Sequence, residues 1–140
     1  MSRMKISARD EYACAAVLEL ALNYDGESTV RVQDIAERRQ IPMKFLFQIM
    51  QILKRVDIVR SRRGMEGGYA LSRAPGQISV GDVIRAVSGP FVQMSSMDSG
   101  KFKTIWTEVD RAISDVLNNI TFEELVRRER SSQRQLMYHI

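Results

Sequence analysis

One cysteine, one histidine, three prolines and no long apolar run in 140 residues exclude several classes of protein at once. A single thiol, Cys14, cannot form a disulfide within the chain. No stretch approaches the roughly 18 consecutive apolar residues of a membrane span, so no membrane contact is expected. The start shows no basic, apolar and small-residue succession of a cleaved leader, which leaves the cytoplasm as the expected location. Cys14 and His139 stand at opposite ends, no glycine-rich loop matches a phosphate cradle, and the acids are scattered along helix faces where solvation accounts for them. That inventory speaks against an enzyme, and no catalytic residue, metal ligand or cofactor is assigned.

The residues that are present suit one compact unit of a single domain's length, with 44% hydrophobic residues and a formal charge of +4. The charge is unevenly placed. Residues 1–75 hold 13 basic and 9 acidic groups, whereas residues 76–140 hold 8 of each. The chain divides accordingly into a basic region, 1–75, and a neutral helical region, 76–140.

Within the basic region two short helices are predicted across a tight turn. The first runs from about Val32 to Arg39, with Val32, Ile35 and Ala36 as its apolar stripe. Gln40, Ile41 and Pro42 make the turn, and Pro42 opens a second helix to about Val56, since proline's missing N–H is unpaired at a helix start in any case. At 100° per residue, Phe45, Leu46, Ile49, Met50, Leu53 and Val56 fall on one arc. Lys44, Phe47, Gln48, Gln51, Lys54 and Arg55 fall on the other. The second arc has the chemistry of a major-groove reader: glutamine can bond adenine N6 and N7 together, lysine can address guanine or phosphate, and an apolar ring can touch a thymine methyl. Gln48 and Phe47 are the leading base contacts. An outward Phe47 would equally serve a contact between subunits.

A hairpin follows, with Ile58 and Val59 leading into Arg60, Arg62 and Arg63, a turn around Gly64, Gly67 and Gly68, and a return through Tyr69 to Leu71. From Lys54 to Arg63 there are five basic residues against one acid, Asp57, a bias that solvation of an ordinary surface does not require. Arginines beside a thin glycine tip can enter a narrow minor groove. The expected architecture is mostly α with a small β-hairpin: a winged helix-turn-helix followed by a long helix.

The rest reads as scaffold. Ser7 and Asp10 can cap a first helix whose Tyr12, Ala13, Ala16, Val17, Leu20, Ala21 and Tyr24 share a face until Asp25-Gly26. Ser79 and Asp82 repeat the pattern before Val80, Val83, Ile84 and Val87, with Gly89-Pro90 as the stop. From about Lys101 to Asn119, Phe102, Ile105, Trp106, Val109, Ile113, Val116, Leu117 and Ile120 keep helical rhythm; periodicity alone leaves open whether that stripe faces the same chain or another. Thr121 with Glu124 opens a last helix, expected to end near Arg130. The apolar Leu136, Met137, Tyr138 and Ile140 are expected to pack against the body or a partner.

Segments Ile35-Ala36-Glu37-Arg38, Phe45-Leu46-Phe47-Gln48-Ile49, Val59-Arg60-Ser61-Arg62-Arg63-Gly64, Gly67-Gly68-Tyr69 and Ile78 through Val87, in that order and spacing, resemble the Rrf2 family of bacterial transcription regulators. The likeness runs from Lys5-Ile6-Ser7 to Ile120-Thr121-Phe122-Glu123-Glu124-Leu125. It implies a homodimer reading a two-fold symmetric operator on double-stranded DNA, with Gln48 at the family's base-reading position, Arg63 at the wing tip, and the stripe from Phe102 to Leu117 on a dimerisation helix. The family often has glutamate just before that glutamine. Phe47 stands there in this chain, so its base preference is expected to differ.

Many members of the family hold an iron–sulfur cluster with three cysteines between the wing region and the long helix. Here that segment, residues 91–101, has none, and methionine and serine are not normal cluster ligands. The chain therefore resembles the cluster-free branch, typified by a repressor of cysteine and sulfur genes that acts with cysteine synthase; the Met137-Tyr138-His139-Ile140 ending belongs to the same likeness. Cys14, at the flank of the first helix's stripe, reads as a small buried apolar residue, with a redox or intersubunit switch as the alternative. A non-catalytic adaptor that uses the winged helix to bind another protein is the other function the pattern would serve.

Overall fold

The computed structural model describes residues 6–64, 67–90 and 100–138, with the side chain of Tyr138 excepted. Lys5, most of the segment in which a cluster would be held, and the His139-Ile140 end lie outside the described residues. The elements follow in the order α1 (Ala8–Leu22), α2 (Val32–Arg39), α3 (Met43–Arg55), β1 (Val59–Arg62), β2 (Gly68–Leu71), a single 3₁₀ turn at Pro75–Gln77, α4 (Val80–Ser88), α5 (Lys103–Asn118) and α6 (Phe122–Tyr138).

Local chemistry starts the scaffold helices. The Ser7 hydroxyl accepts from the Asp10 N–H at 3.2 Å while the Asp10 carboxylate accepts from the Ser7 N–H at 2.9 Å. Ser79 and Asp82 do the same for α4, both bonds at 3.0 Å. Each box satisfies two N–H groups that a helix start otherwise leaves open. For α6, Thr121 Oγ1 accepts from the Glu124 N–H at 3.2 Å.

The core is built around α1 and α3. Ala13, Ala16, Val17 and Leu20 meet Leu46, Ile49, Met50 and Leu53, and Ile35, Ile41, Ile58, Val83 and Val87 close the sides. Each large aliphatic chain buried here contributes about 1.5–3 kcal/mol. Phe122, at the start of α6, is fully buried in the same cluster, so the helical half completes the core of the basic half. Backbone bonds from the Val80 N–H to Ile120 O at 2.8 Å and from the Phe122 N–H to Ile78 O at 3.0 Å fasten that return.

The hairpin pairs antiparallel, with Val59 opposite Leu71 and Arg62 opposite Gly68. Val30 adds a bridge to Tyr69 through two reciprocal backbone bonds of 2.8 Å. The wing is thereby tied to the segment that leads into α2. A Cβ on Gly68 would sit 2.4 Å from the Val30 carbonyl oxygen, so only glycine permits this approach.

Several sequence expectations need correction. Phe45 and Val56, assigned to the buried arc, are 46% and 45% exposed. Phe45 lies at the edge of the stripe, covered on one side by Tyr12. Val56 is the residue after the last turn, where the chain leaves the helix into Asp57 at φ 60°. Tyr24 falls beyond the end of α1 and is exposed as well. The last helix does not stop near Arg130 but runs to Tyr138; Arg127–Glu123 and Arg128–Glu124 pairs four residues apart support its first turns. Leu136 and Met137 stand exposed along it, so these two do not pack against the body; the side chains of Tyr138 and Ile140 lie outside the described residues.

Candidate nucleic-acid interface

The turn that orients the reading helix is made by Gln40 in the left-handed region, φ 54° and ψ 48°. Pro42 then sits at the N-cap and Met43 begins α3. With Leu46, Ile49, Met50 and Leu53 turned into the core, Lys44, Phe47, Gln48, Gln51, Lys54 and Arg55 are all exposed. The two faces separate as helical periodicity predicts, because burial of one arc fixes where the other points.

Arg60, Arg62 and Arg63 are exposed on the wing. Their settings differ. Arg60 donates from Nη2 to the Gly26 carbonyl at 3.0 Å, so it pins the loop between α1 and α2. Arg62 and Arg63 line a groove with Gly64, Gly67, Tyr69 and the start of α2 at Arg31 and Gln33. Arg31 and Gln33 were not singled out from the sequence, because their nearness to the wing depends on the Val30–Tyr69 bridge, a contact across 39 residues.

An ion cluster around the buried Glu19 holds the helix-turn-helix in place. Glu19 on α1 accepts from Arg38 at 3.0 Å and Arg39 at 2.9 Å, both on α2, and from Asn23 at 3.1 Å. Burial opposes the charged form of Glu19, but the two guanidiniums outweigh it and hold the carboxyl below its ordinary value. Arg39 also reaches Glu129 on α6, at 3.6 Å.

A second exposed surface is carried by α5, which packs on α4. None of its residues is buried, and Phe102, Ile105, Trp106 and Val116 are 38–60% exposed. Val109, Ile113 and Leu117 are half-buried. So many large apolar groups in one stripe exceed the scatter normal on a monomer's surface.

Cys14 is largely buried, and burial, with the charges of Asp10 and Glu11, pushes its thiol up to about 12. It is therefore not a thiolate near neutral pH. Among the described residues no group of three histidine, cysteine or acidic side chains is placed to hold a metal ion. An iron–sulfur cluster held by cysteine needs several thiolates, and the chain has one cysteine in all, in an inert setting. The residues present do not fit such a group.

A two-faced helix behind a left-handed turn, followed by a basic two-stranded wing, defines a winged helix-turn-helix protein. Residues 6–128 match the Rrf2 family, described as an iron-dependent transcriptional regulator, and the chain belongs to that family. It is 30% identical over 98% of its length to the whole of the transcriptional regulator CymR of Bacillus subtilis. It is 34% identical, over 88% of this chain and 79% of the other, to the regulator IscR of Pectobacterium carotovorum. Among solved structures, that of CymR, described as the global cysteine regulator of B. subtilis, superposes with a TM-score of 0.79 at 29% identity, covering 89% of this chain and 97% of the other. An IscR structure from T. potens gives 0.78 at 32% identity, over 92% and 90%. The chain is a DNA-binding transcriptional regulator of the helix-turn-helix type. No described helix is long and apolar enough to cross a membrane.

Proposed function

We infer that the protein works as a homodimeric repressor that reads an inverted-repeat operator without an iron–sulfur cluster, and that its genes serve cysteine and sulfur metabolism. The observation that carries the DNA reading is the exposed row Lys44, Gln48, Gln51, Lys54 and Arg55 along a helix whose other face is core. Gln48 and Phe47 read bases, Lys44, Gln51, Lys54 and Arg55 secure the helix to the backbone, and Arg60, Arg62 and Arg63 bring the wing to the adjoining groove. The α5 stripe of Phe102, Ile105, Trp106, Val109, Ile113, Val116 and Leu117 pairs with its copy, as a two-fold interface demands of a self-complementary patch. The assignment to sulfur metabolism rests on the end-to-end similarity to CymR, and cysteine synthase is the partner enzyme that the cluster-free branch implies. The place of action is the cytoplasm, at the nucleoid.

The test is selection of random duplex DNA by the purified protein at two salt concentrations, with sequencing of the bound pool. An enriched inverted repeat, with half-sites about one or two helical turns apart, is expected. Failure to retain DNA at either salt would favour the adaptor reading, in which the exposed Phe45 and Phe47 dock a protein instead. A protein groove does not demand the steep salt dependence that neutralised phosphates impose.

A further inference from the structure

A depression of about 250 Å³ lies between the start of α1 and the reading helix, lined by Ala8, Arg9, Tyr12, Phe45, Gln48 and Ile49. Gln48 is the leading base reader, and Arg9 shares a wall with it. Arg9 is exposed and carries no hydrogen bond or ion pair among the described residues. Other arginines near the core are engaged: Arg38 and Arg39 with Glu19, Arg60 with Gly26, and Arg85 with Asp82 and Asn118.

We propose that the start of α1 is a third DNA-binding element, in which the Arg9 guanidinium binds a backbone phosphate beside the base pairs read by Gln48, with Tyr12 flanking it. The proposal rests on the DNA-reading assignment above and adds a phosphate site outside both the reading helix and the wing. For Gln48 to reach a base edge, α3 must enter a groove about 12 Å wide whose walls are phosphate strands. A strand bordering that groove passes over the surface next to the helix. Arg9 occupies that surface.

The neighbouring charges allow it. At 100° per residue, Tyr12 lies about 60° from Arg9 around α1, whereas Glu11 lies about 200° away, on the far side. Asp10 is fully buried, its carboxylate taken by Ser7 and by the Ser88 hydroxyl. Neither acid competes with a phosphate at Arg9. The site is also held rigid, since the Tyr12 and Phe45 rings stack with centroids 6.3 Å apart and planes 25° from parallel. The planar fork of arginine suits phosphate oxygens, and it loses less freedom per hydrogen bond than an ammonium would.

The experiment uses the full chain and the duplex recovered by selection, with affinity measured by fluorescence anisotropy across a salt series. Arg9→Ala is expected to keep the wild-type melting temperature and base preference while the slope of log affinity against log salt falls by about 0.9 for each half-site occupied. Arg9→Lys is expected to restore the slope. Ethylation interference gives a second readout: one phosphate flanking each half-site should be sensitive with the wild type and insensitive with Arg9→Ala. An unchanged slope and ethylation pattern in a folded Arg9→Ala protein, beside salt-dependent wild-type binding, would overturn the α1 contact alone. Wild-type affinity without salt dependence would instead remove the DNA-reading assignment on which it rests.

Discussion

Glu19 on α1 takes the Arg39 Nε–H at 2.9 Å, and that bond joins the first helix to the helix that precedes the reading turn. The Arg39 side chain is 19% exposed and that of Glu19 8%, so solvent does little to weaken the pair. Replacing Glu19 by Gln is expected to cost about 1–3 kcal/mol, because Arg38 and Arg39 lose their charged acceptor. Chemical denaturation of the two proteins at neutral pH checks this.

The same carboxylate sets a pH dependence. Its folded value lies below the ordinary 4.5, so its stabilisation is complete above about pH 4.5 and is lost as pH falls through the folded value. Wild type should therefore lose stability faster than Glu19→Gln below that point, and the two curves should converge in acid. Parallel curves from pH 6 to pH 3 would show that Glu19 is not the titrating group.

Gln48→Ala should relax preference at one base position in each half-site, a loss of about 1–3 kcal/mol of discrimination. Arg63→Ala should weaken binding most where the flanking minor groove is narrow and A·T-rich. Competition between duplexes differing at single positions separates the two effects. An equal Arg63→Ala loss on G·C-rich flanks would make that residue a plain phosphate contact.

Charges placed on the exposed stripe of α5 should separate the subunits. Ile105 and Val116 are 45% and 60% exposed in the single chain, so Ile105→Glu with Val116→Glu leaves its fold intact but puts like charges into a two-fold contact. Sedimentation is expected to give a dimer for the wild type and a monomer for the double variant, with operator affinity reduced at least about tenfold. A variant that still sediments as a dimer would move the interface elsewhere.

Gly68→Ala probes the wing. The added carbon must push back the Val30 carbonyl that lies 2.4 Å from its position, at a cost of about 1–3 kcal/mol. A lowered melting temperature with a larger loss of DNA affinity is expected. Unaltered melting would mean that β2 can shift without disturbing the bridge.

Much of this molecule is legible locally. The Ser7 and Ser79 boxes lie three residues from their acidic partners, and the α3 stripe repeats within the window that a helix needs, so both read directly from the chain. The end of α6 does not, because residues 127–135 are all polar and carry no apolar rhythm, and the Arg127–Glu123 and Arg128–Glu124 pairs reach only its first turns. Phe45 was misplaced because it sits where the apolar and exposed arcs meet, a boundary that only the position of Tyr12 decides. Arg9, Arg31 and the Glu19 cluster share one reason for escaping notice: each depends on a neighbour about 20 to 40 positions away. The face of the reading helix was therefore readable, and the parts that hold and flank it were not.

Asp10 answers to two distant stretches of chain. One carboxylate starts α1 by accepting the Ser7 N–H and receives the hydroxyl of Ser88, the last residue of α4. Asparagine could accept one of these bonds but would turn an amide toward a hydroxyl or an N–H, and glutamate could serve the cap but its longer stem would shift the oxygen that meets Ser88. A change at position 10 thus acts in two places at once, on the opening turn of α1 and on the point at which the chain leaves α4.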